Sequence, residues 1–175
     1  FIPNVKPRVA NTSLISFKMD DPRSVYEPGQ IKLTIELKGR KKTLSIPFNK
    51  KAMRPSWRVY TTKIKDEFVI GFDNILVKVS SQLDVTVREI KNDILCLYAD
   101  KDNGLWVGTS KGGLLYYKDI DSIPAIINLP EYSVTGVCED AEGGIWCTTL
   151  EHGLYYARNK KIINSRHFMH NCILI

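Results

Sequence analysis

Long apolar runs, histidines and paired cysteines are scarce in this 175-residue chain. No segment approaches the roughly 20 consecutive apolar residues of a membrane-spanning helix, so this segment itself is not expected to contact a membrane. The four cysteines lack Cys-x-x-Cys spacing, and no Gly-x-Ser-x-Gly motif accompanies the three histidines. Because no catalytic triad or carboxylate pair can be assembled, we expect no enzyme activity and no cofactor.

Two groups of side chains resemble metal ligands, but neither completes a metal site. His167, His170 and Cys172 follow the last recognisable strand, where polar tail residues are the simpler interpretation. Asp100-x-Asp102-x-Gly104 begins like a calcium loop but lacks the acidic residue that would end one. We therefore expect a structural turn at Asp100 and no metal.

The cysteines are also poorly placed for a disulfide. Pairing about a turn at 141–142 would set Cys138 opposite Ile145 and Cys147 opposite Gly136, a register that disfavours a bridge between the two cysteines. A free cysteine in an apolar strand behaves as a small hydrophobe. The sequence therefore predicts buried, unpaired thiols.

Basic residues outnumber acidic ones by 25 to 19. One basic cluster, at residues 38–42, flanks Gly39 at a predicted hairpin tip, which is an ordinary place for solvated charges. No recognition helix or RNA-binding motif accompanies the charge. We therefore expect no nucleic-acid partner.

Alternation of apolar and polar residues with a period of two runs through most of the chain and predicts strands. No segment carries a helical stripe, so the chain is expected to be all-β. Residues 1–50 are interpreted as an N-terminal β-hairpin element or a degenerate blade. Residues 51–160 are interpreted as propeller blades and residues 161–175 as a tail.

Two stretches, 93–117 and 133–157, repeat each other at a spacing of 40 residues without a gap. The identical positions are Asp100/Asp140, Gly104/Gly144, Trp106/Trp146, Thr109/Thr149, Gly113/Gly153, Leu114/Leu154 and Tyr116/Tyr156. A period near 40 with short strands and turn glycines is typical of a four-stranded propeller blade. The predicted fold is a partial β-propeller of about three to four four-stranded antiparallel blades.

Each pair of identical residues has an expected structural role. The aspartates end an inner strand and accept hydrogen bonds from backbone N–H groups of the following turn. Gly104 and Gly144 supply a left-handed or bulged conformation. Trp106 and Trp146 pack between neighbouring blades, and the threonines end the strand that carries them.

At these residues the chain resembles the two-component regulator propeller repeat. The pattern of that family is roughly Val-x-x-Ile-x-x-Asp-x-x-Gly-x-Leu-Trp-Ile-Gly-Thr-x-x-Gly-Gly-Leu-x-x-Tyr. Residues 94–117 match it closely, and residues 134–156 match it with Thr148 and His152 in place of glycines. The resemblance implies a non-catalytic, ligand-sensing module in the extracytoplasmic (periplasmic) region of a hybrid histidine kinase. It also implies an oligosaccharide as the ligand.

In a four-stranded blade, the loop between the second and third strands opens on the same face as the connection between blades. The candidate ligand-binding residues on this face are Lys111, Tyr132, Glu151 and His152. A polar loop set on rigid strands suits binding. Loops that are merely solvated remain the alternative.

Propellers usually close with about four to eight blades, so a chain of three or four blades lies at or below the lower limit. Either the chain is a piece of a larger propeller, or copies associate to cover the open edges. Unpaired strand edges invite another chain. A structural protein-interaction module that forms a homo-oligomer through its blade edges is therefore the alternative function.

Overall fold

The computed structural model describes residues 15–19, 30–47, 58–158 and 160. All regular secondary structure in these ranges consists of β-strands, which confirms the all-β prediction. Within the same ranges there is no helix of the length and apolarity that a membrane span requires. The chain forms two compact units, Phe1–Ser56 and Trp57–Ile175.

The first unit contains a three-stranded antiparallel sheet in the order β1-β2-β3. Its strands are β1 (Ile15–Met19), β2 (Gln30–Leu37) and β3 (Arg40–Pro47). Lys38 and Gly39 join β2 to β3 with φ angles of 49° and 76°, as in the two-residue turns that suit the twist of a hairpin. The basic side chains of this hairpin tip are exposed.

The second unit contains three antiparallel sheets, which we call blades 1, 2 and 3. Blade 1 has the strands β4 (Val59–Ile64), β5 (Glu67–Phe72), β6 (Ile75–Val79) and β7 (Val85–Glu89). Blade 2 has β8 (Ile94–Ala99), β9 (Leu105–Thr109), β10 (Gly113–Tyr117) and β11 (Ile126–Asn128). Blade 3 has β12 (Val134–Glu139), β13 (Ile145–Thr149) and β14 (Gly153–Ala157).

The three blades are arranged as consecutive members of a propeller. Strand order follows chain order in each sheet. The first strand of blade 2, β8, contacts the first strands of both neighbours, β4 and β12. The first strands therefore form the inner edge of the blades, and the predicted partial propeller is confirmed.

Two apolar cores join the blades in pairs because side chains alternate between the faces of each strand. Along β9, Leu105 and Val107 enter the core shared with blade 1, where they join Val69 and Leu76. Trp106, which is fully buried, enters the core shared with blade 3. Blade 2 is thus buried on both faces.

The predicted turn chemistry is present in both repeats. Asp100 Oδ1 accepts hydrogen bonds from the N–H groups of Asp102 and Gly104, each at 2.9 Å, and Asp100 Oδ2 accepts one from the Trp106 indole at 3.1 Å. Asp140 makes the same three contacts with Glu142, Gly144 and Trp146, at 3.0, 2.7 and 2.9 Å. The aspartates therefore anchor both the turn and the tryptophan.

The left-handed conformation predicted for Gly104 and Gly144 is wrong. Neither glycine has a positive φ; the left-handed residue is the one before it, Asn103 (64°) or Gly143 (88°). A Cβ at Gly104 would overlap the ring of Tyr116, which stacks on Trp106 at a centroid distance of 4.4 Å. Glycine is needed here because an aromatic ring approaches the backbone closely.

The two tryptophans occupy equivalent positions but have different surroundings. Trp146 stacks on Tyr156 at 4.5 Å, as Trp106 stacks on Tyr116. Trp146 is only half-buried, and within the described residues no strand packs on its face of blade 3. The expectation that the tryptophans lie between blades is therefore confirmed for Trp106.

The predicted register at the Cys138 hairpin is also wrong, by one residue. Cys138 lies opposite Trp146, and Cys147 lies opposite Val137. The Asp140 N–H donates to the Gly144 carbonyl oxygen, which closes a turn of five residues at 140–144. The sequence prediction assumed a turn with an even number of residues. Cys138 is exposed, which contradicts its expected burial.

The other two cysteines among the described residues are buried, unpaired thiols, as expected. Cys96 and Cys147 lie in the core between blades 2 and 3. Burial raises the pKa of Cys96 to about 11 and that of Cys147 to about 12. His167, His170 and Cys172 lie outside the described residues.

Candidate ligand-binding face

The four candidate binding residues lie together at one end of blades 2 and 3, and we call them the loop cluster (Lys111, Tyr132, Glu151, His152). Lys111 lies in the β9–β10 loop, Glu151 and His152 lie in the β13–β14 loop, and Tyr132 lies in the connection between the two blades. Lys111 Nζ is 2.9 Å from Glu151 Oε1. The rings of Tyr132 and His152 lie with centroids 4.5 Å apart.

Ser133, which sequence reasoning did not select, holds the loop cluster in place. Its N–H donates to Glu151 Oε2 at 2.8 Å, and its hydroxyl oxygen accepts from the Lys111 N–H at 3.2 Å. Its carbonyl accepts from the Leu150 N–H at 3.0 Å. The one sequence signal for Ser133 is its position directly after the candidate residue Tyr132. The sequence does not indicate the three contacts that Ser133 makes.

Charge stabilises the carboxylate form of Glu151. The Lys111 ammonium, followed by the Ser133 N–H, lowers the pKa of Glu151 to about 2. Glu151 is therefore ionised throughout the neutral range. Lys111 and Glu151 carry opposite charges at positions exactly one repeat apart, so the pair ties the equivalent loops of two successive blades.

The two repeats differ in side-chain size at the loop cluster. In blade 2, Gly112 faces Asn92, and a Cβ at Gly112 would lie 2.5 Å from Asn92 Oδ1. One repeat later the same two positions hold His152 and Tyr132, which stack on each other. A compact glycine–amide contact in blade 2 is thus replaced in blade 3 by a half-exposed pair of aromatic rings.

No metal centre accompanies the loop cluster. Over 15–19, 30–47, 58–158 and 160, no group of three or more His, Cys, Asp or Glu side chains is placed to hold a metal ion. Asp100 and Asp102 instead contact Lys160 Nζ, at 2.8 and 2.6 Å.

The sequence of blade 2 matches one family model. Residues 89–111, which include β8 and β9, match the family described as two component regulator propeller. Residues 89–111 are therefore similar to a two component regulator propeller repeat. The match confirms the resemblance inferred from the Asp-Gly-Trp pattern. None of the curated proteins matches the chain.

Solved structures similar to this chain include longer extracellular domains. The extracellular domain of BT4673 from B. thetaiotaomicron, described as a one component system, matches with a TM-score of 0.53 and 18% identity over 89% of this chain and 22% of that one. A second BT4673 extracellular structure, described as a hybrid two component system, has a TM-score of 0.48 and 21% identity over 73% of this chain and 20% of that one. The chain therefore spans about a fifth of the length of these structures.

A designed protein is also similar to this chain. The computationally designed Ika8 protein has a TM-score of 0.49 and 10% identity over 85% of this chain and 56% of that one. The first BT4673 match supports the propeller fold.

Proposed function

We propose that the chain is a non-catalytic, ligand-sensing propeller module in the extracytoplasmic, periplasmic region of a two-component sensor. Two findings support the proposal: the regulator propeller repeat at residues 89–111, and a fold shared with an extracellular domain of BT4673. The observation that carries the proposal is the loop cluster. In the loop cluster, His152 and Tyr132 replace the smaller residues that blade 2 has at the equivalent positions, and both lie on one face.

The proposed ligand is an oligosaccharide, bound at the loop cluster. The stacked rings of Tyr132 and His152 offer apolar faces with polar edges, which suit the mixed surface of a sugar ring. Lys111 supplies donors and Glu151 supplies acceptors for hydroxyl groups. A ligand that competes for either charge would loosen the tie between the β9–β10 and β13–β14 loops. Such loosening is a direct route from ligand binding to a change in blade contacts.

Calorimetric titration of the full chain with a panel of neutral and acidic oligosaccharides tests this proposal. We expect Tyr132→Ala to weaken the binding of any positive ligand by tenfold or more, because it removes one ring of the stacked pair. Lys91→Ala is the matched control, since Lys91 is exposed in the neighbouring connection between blades 1 and 2. A panel without binding, or binding that survives Tyr132→Ala unchanged, would contradict the proposal.

The second candidate function is a structural module that self-associates through its blade edges. It is favoured by β14, whose outer edge pairs with no strand in the described part of the chain, and by Leu150, which is 71% exposed nearby. Sedimentation velocity over a hundredfold concentration range tests it. A dimer whose dissociation constant rises with Leu150→Lys supports this function, and a strict monomer contradicts it.

A further inference from the structure

The turn between β8 and β9 ends in Asn103-Gly104, and no other asparagine in the chain is followed by glycine. Asn103 has a φ of 64°, a left-handed conformation that asparagine adopts more readily than most residues. Gly104 is required because a Cβ there would overlap the ring of Tyr116. The packing of blade 2 therefore favours an asparagine followed directly by a glycine at this turn.

An asparagine that precedes glycine is chemically reactive. Glycine has no side chain to shield its backbone nitrogen, so this nitrogen can approach the carboxamide carbon of the asparagine. Asn103 is exposed to water at the end of the turn. Both the reactive carboxamide and the solvent that completes the reaction are thus available at this position.

The folded turn holds the Gly104 nitrogen away from the carboxamide. The Gly104 N–H donates to Asp100 Oδ1 at 2.9 Å, and Gly104 itself is buried. The Asn103 N–H donates to the Asp100 carbonyl oxygen at 3.0 Å. Lys160 Nζ, from the end of blade 3, lies 2.8 Å from Asp100 Oδ2. The turn must open before the nitrogen can attack, and blade 3 helps to keep it closed.

We propose that Asn103 is a site of self-modification whose rate is set by opening of the Asp100 turn. In the open turn the Gly104 nitrogen attacks the carboxamide carbon of Asn103, and the new C–N bond closes a cyclic imide. The bond from this carbon to the side-chain nitrogen breaks, and that nitrogen leaves as ammonia with the proton that the Gly104 nitrogen gives up. Water then opens the imide at either carbonyl to give aspartate or isoaspartate, with no oxidation or reduction.

The modified residue hinders the turn from closing again. Isoaspartate adds one carbon to the backbone, and both products add a carboxylate. Asp100 and Asp102 already share the ammonium of Lys160, at 2.8 and 2.6 Å, so a third negative charge on this turn is poorly compensated. The Trp106 indole, which donates to Asp100 at 3.1 Å, loses its anchor when the turn stays open. The reaction thus turns a transient opening into a permanent change, independently of the loop cluster and of any ligand.

Blade 3 contains the same turn without the reactive side chain. Asp140 Oδ1 accepts from the Gly144 N–H at 2.7 Å, and Gly143 takes the left-handed position with a φ of 88°. Asn103→Gly copies this solution into blade 2 and is therefore the matched unreactive variant. Asp140→Asn is the matched variant that weakens the equivalent turn one repeat away from Asn103.

The test measures isoaspartate at position 103 by mass spectrometry after the full chain has been incubated in mildly alkaline buffer. We expect conversion in denaturing urea to be at least tenfold faster than in native buffer. Urea below the unfolding transition should change the native rate less than twofold, because a local opening exposes little surface.

Variants at the turn separate its opening from general instability. Asp100→Asn weakens the acceptor of the Gly104 N–H and should raise the native rate at least tenfold. Lys160→Gln should raise it at least threefold and Lys160→Arg less than twofold. Asp140→Asn should stay within twofold of the wild type, and Asn103→Gly should give no product. The converted wild-type fraction, separated by ion exchange, should melt at a lower temperature than the unconverted one.

Four outcomes would overturn the proposal. Equal rates in native buffer and in denaturing urea would mean that the turn does not restrain the reaction. Slower conversion in Asp100→Asn would mean that this carboxylate takes the proton and promotes the reaction. An equal rise in Asp140→Asn and Asp100→Asn would assign the reaction to global unfolding, and an absence of isoaspartate even in urea would remove the site.

Discussion

At the scale of single residues, Asp100 holds a turn, an indole and an ammonium group around one buried carboxylate. Asp100→Asn removes the charge but keeps the size, which leaves Lys160 without its buried partner. Because Lys160 keeps its contact with Asp102 but loses its buried partner, we expect the free energy of unfolding to fall by about 2 kcal/mol. Urea denaturation measures it. Asp140→Asn should cost clearly less, and an equal loss in both variants would argue against the role of Lys160.

At the scale of elements, Gly108 sets the distance between β9 and β12. Gly108→Ala would place a methyl group against the Val134 carbonyl oxygen and the Cys96 thiol. Overpacking against backbone should destabilise the chain by about 2 kcal/mol in chemical denaturation. Thr148→Ala, at the equivalent position on the open face, is the control and should change stability by less than about 0.5 kcal/mol. Similar effects at both positions would mean that blade spacing is not the cause.

The ion pair between the β9–β10 and β13–β14 loops should make stability depend on pH. The pKa of Glu151 is lower in the folded chain, about 2, than in the unfolded one. Its contribution is therefore complete above the ordinary glutamate range and is lost as the pH falls from about 4.5 towards 2. Thermal melts of the wild type and Glu151→Gln should differ most at neutral pH and converge at pH 2. A difference that stays constant across this range would contradict the prediction.

At the scale of the whole molecule, Cys96 and Cys147 report on the separation of blades 2 and 3. Both are buried in one core and carry raised pKa values, so neither reacts while the blades stay in contact. We expect a thiol reagent to label the two at a single common rate, far slower than Cys138, in a chain with Cys172→Ser. Mass spectrometry of the labelled peptides measures the rates. Distinct rates would mean that the two sides of this core open independently.

The sequence predicts those parts of the fold that depend on local repetition. Asp100, Trp106 and their partners one period later predict the turns and the blade period. Strand order places these loops on a common face, so the sequence alone groups Lys111 with Glu151. The hairpin register at Cys138 was missed because the five-residue turn adds a left-handed residue, Gly143, that the hydrophobic pattern does not reveal.

Lys160 could not be selected from the sequence for a different reason. It lies outside the identical positions, and its partner Asp100 is 60 residues earlier. Long-range ion pairs depend on how sheets stack, not on local pattern. The same holds for Ser133, whose contacts reach two loops.

The reach of Lys160 back to Asp100 has a consequence for synthesis on the ribosome. Blade 2 acquires all its strands once Asn128 has emerged, yet its central carboxylate gains its cation only after a further 32 residues have been translated. Blade 2 is thus completed by blade 3, and a nascent chain that pauses between these points presents a finished sheet with an unneutralised charge inside it.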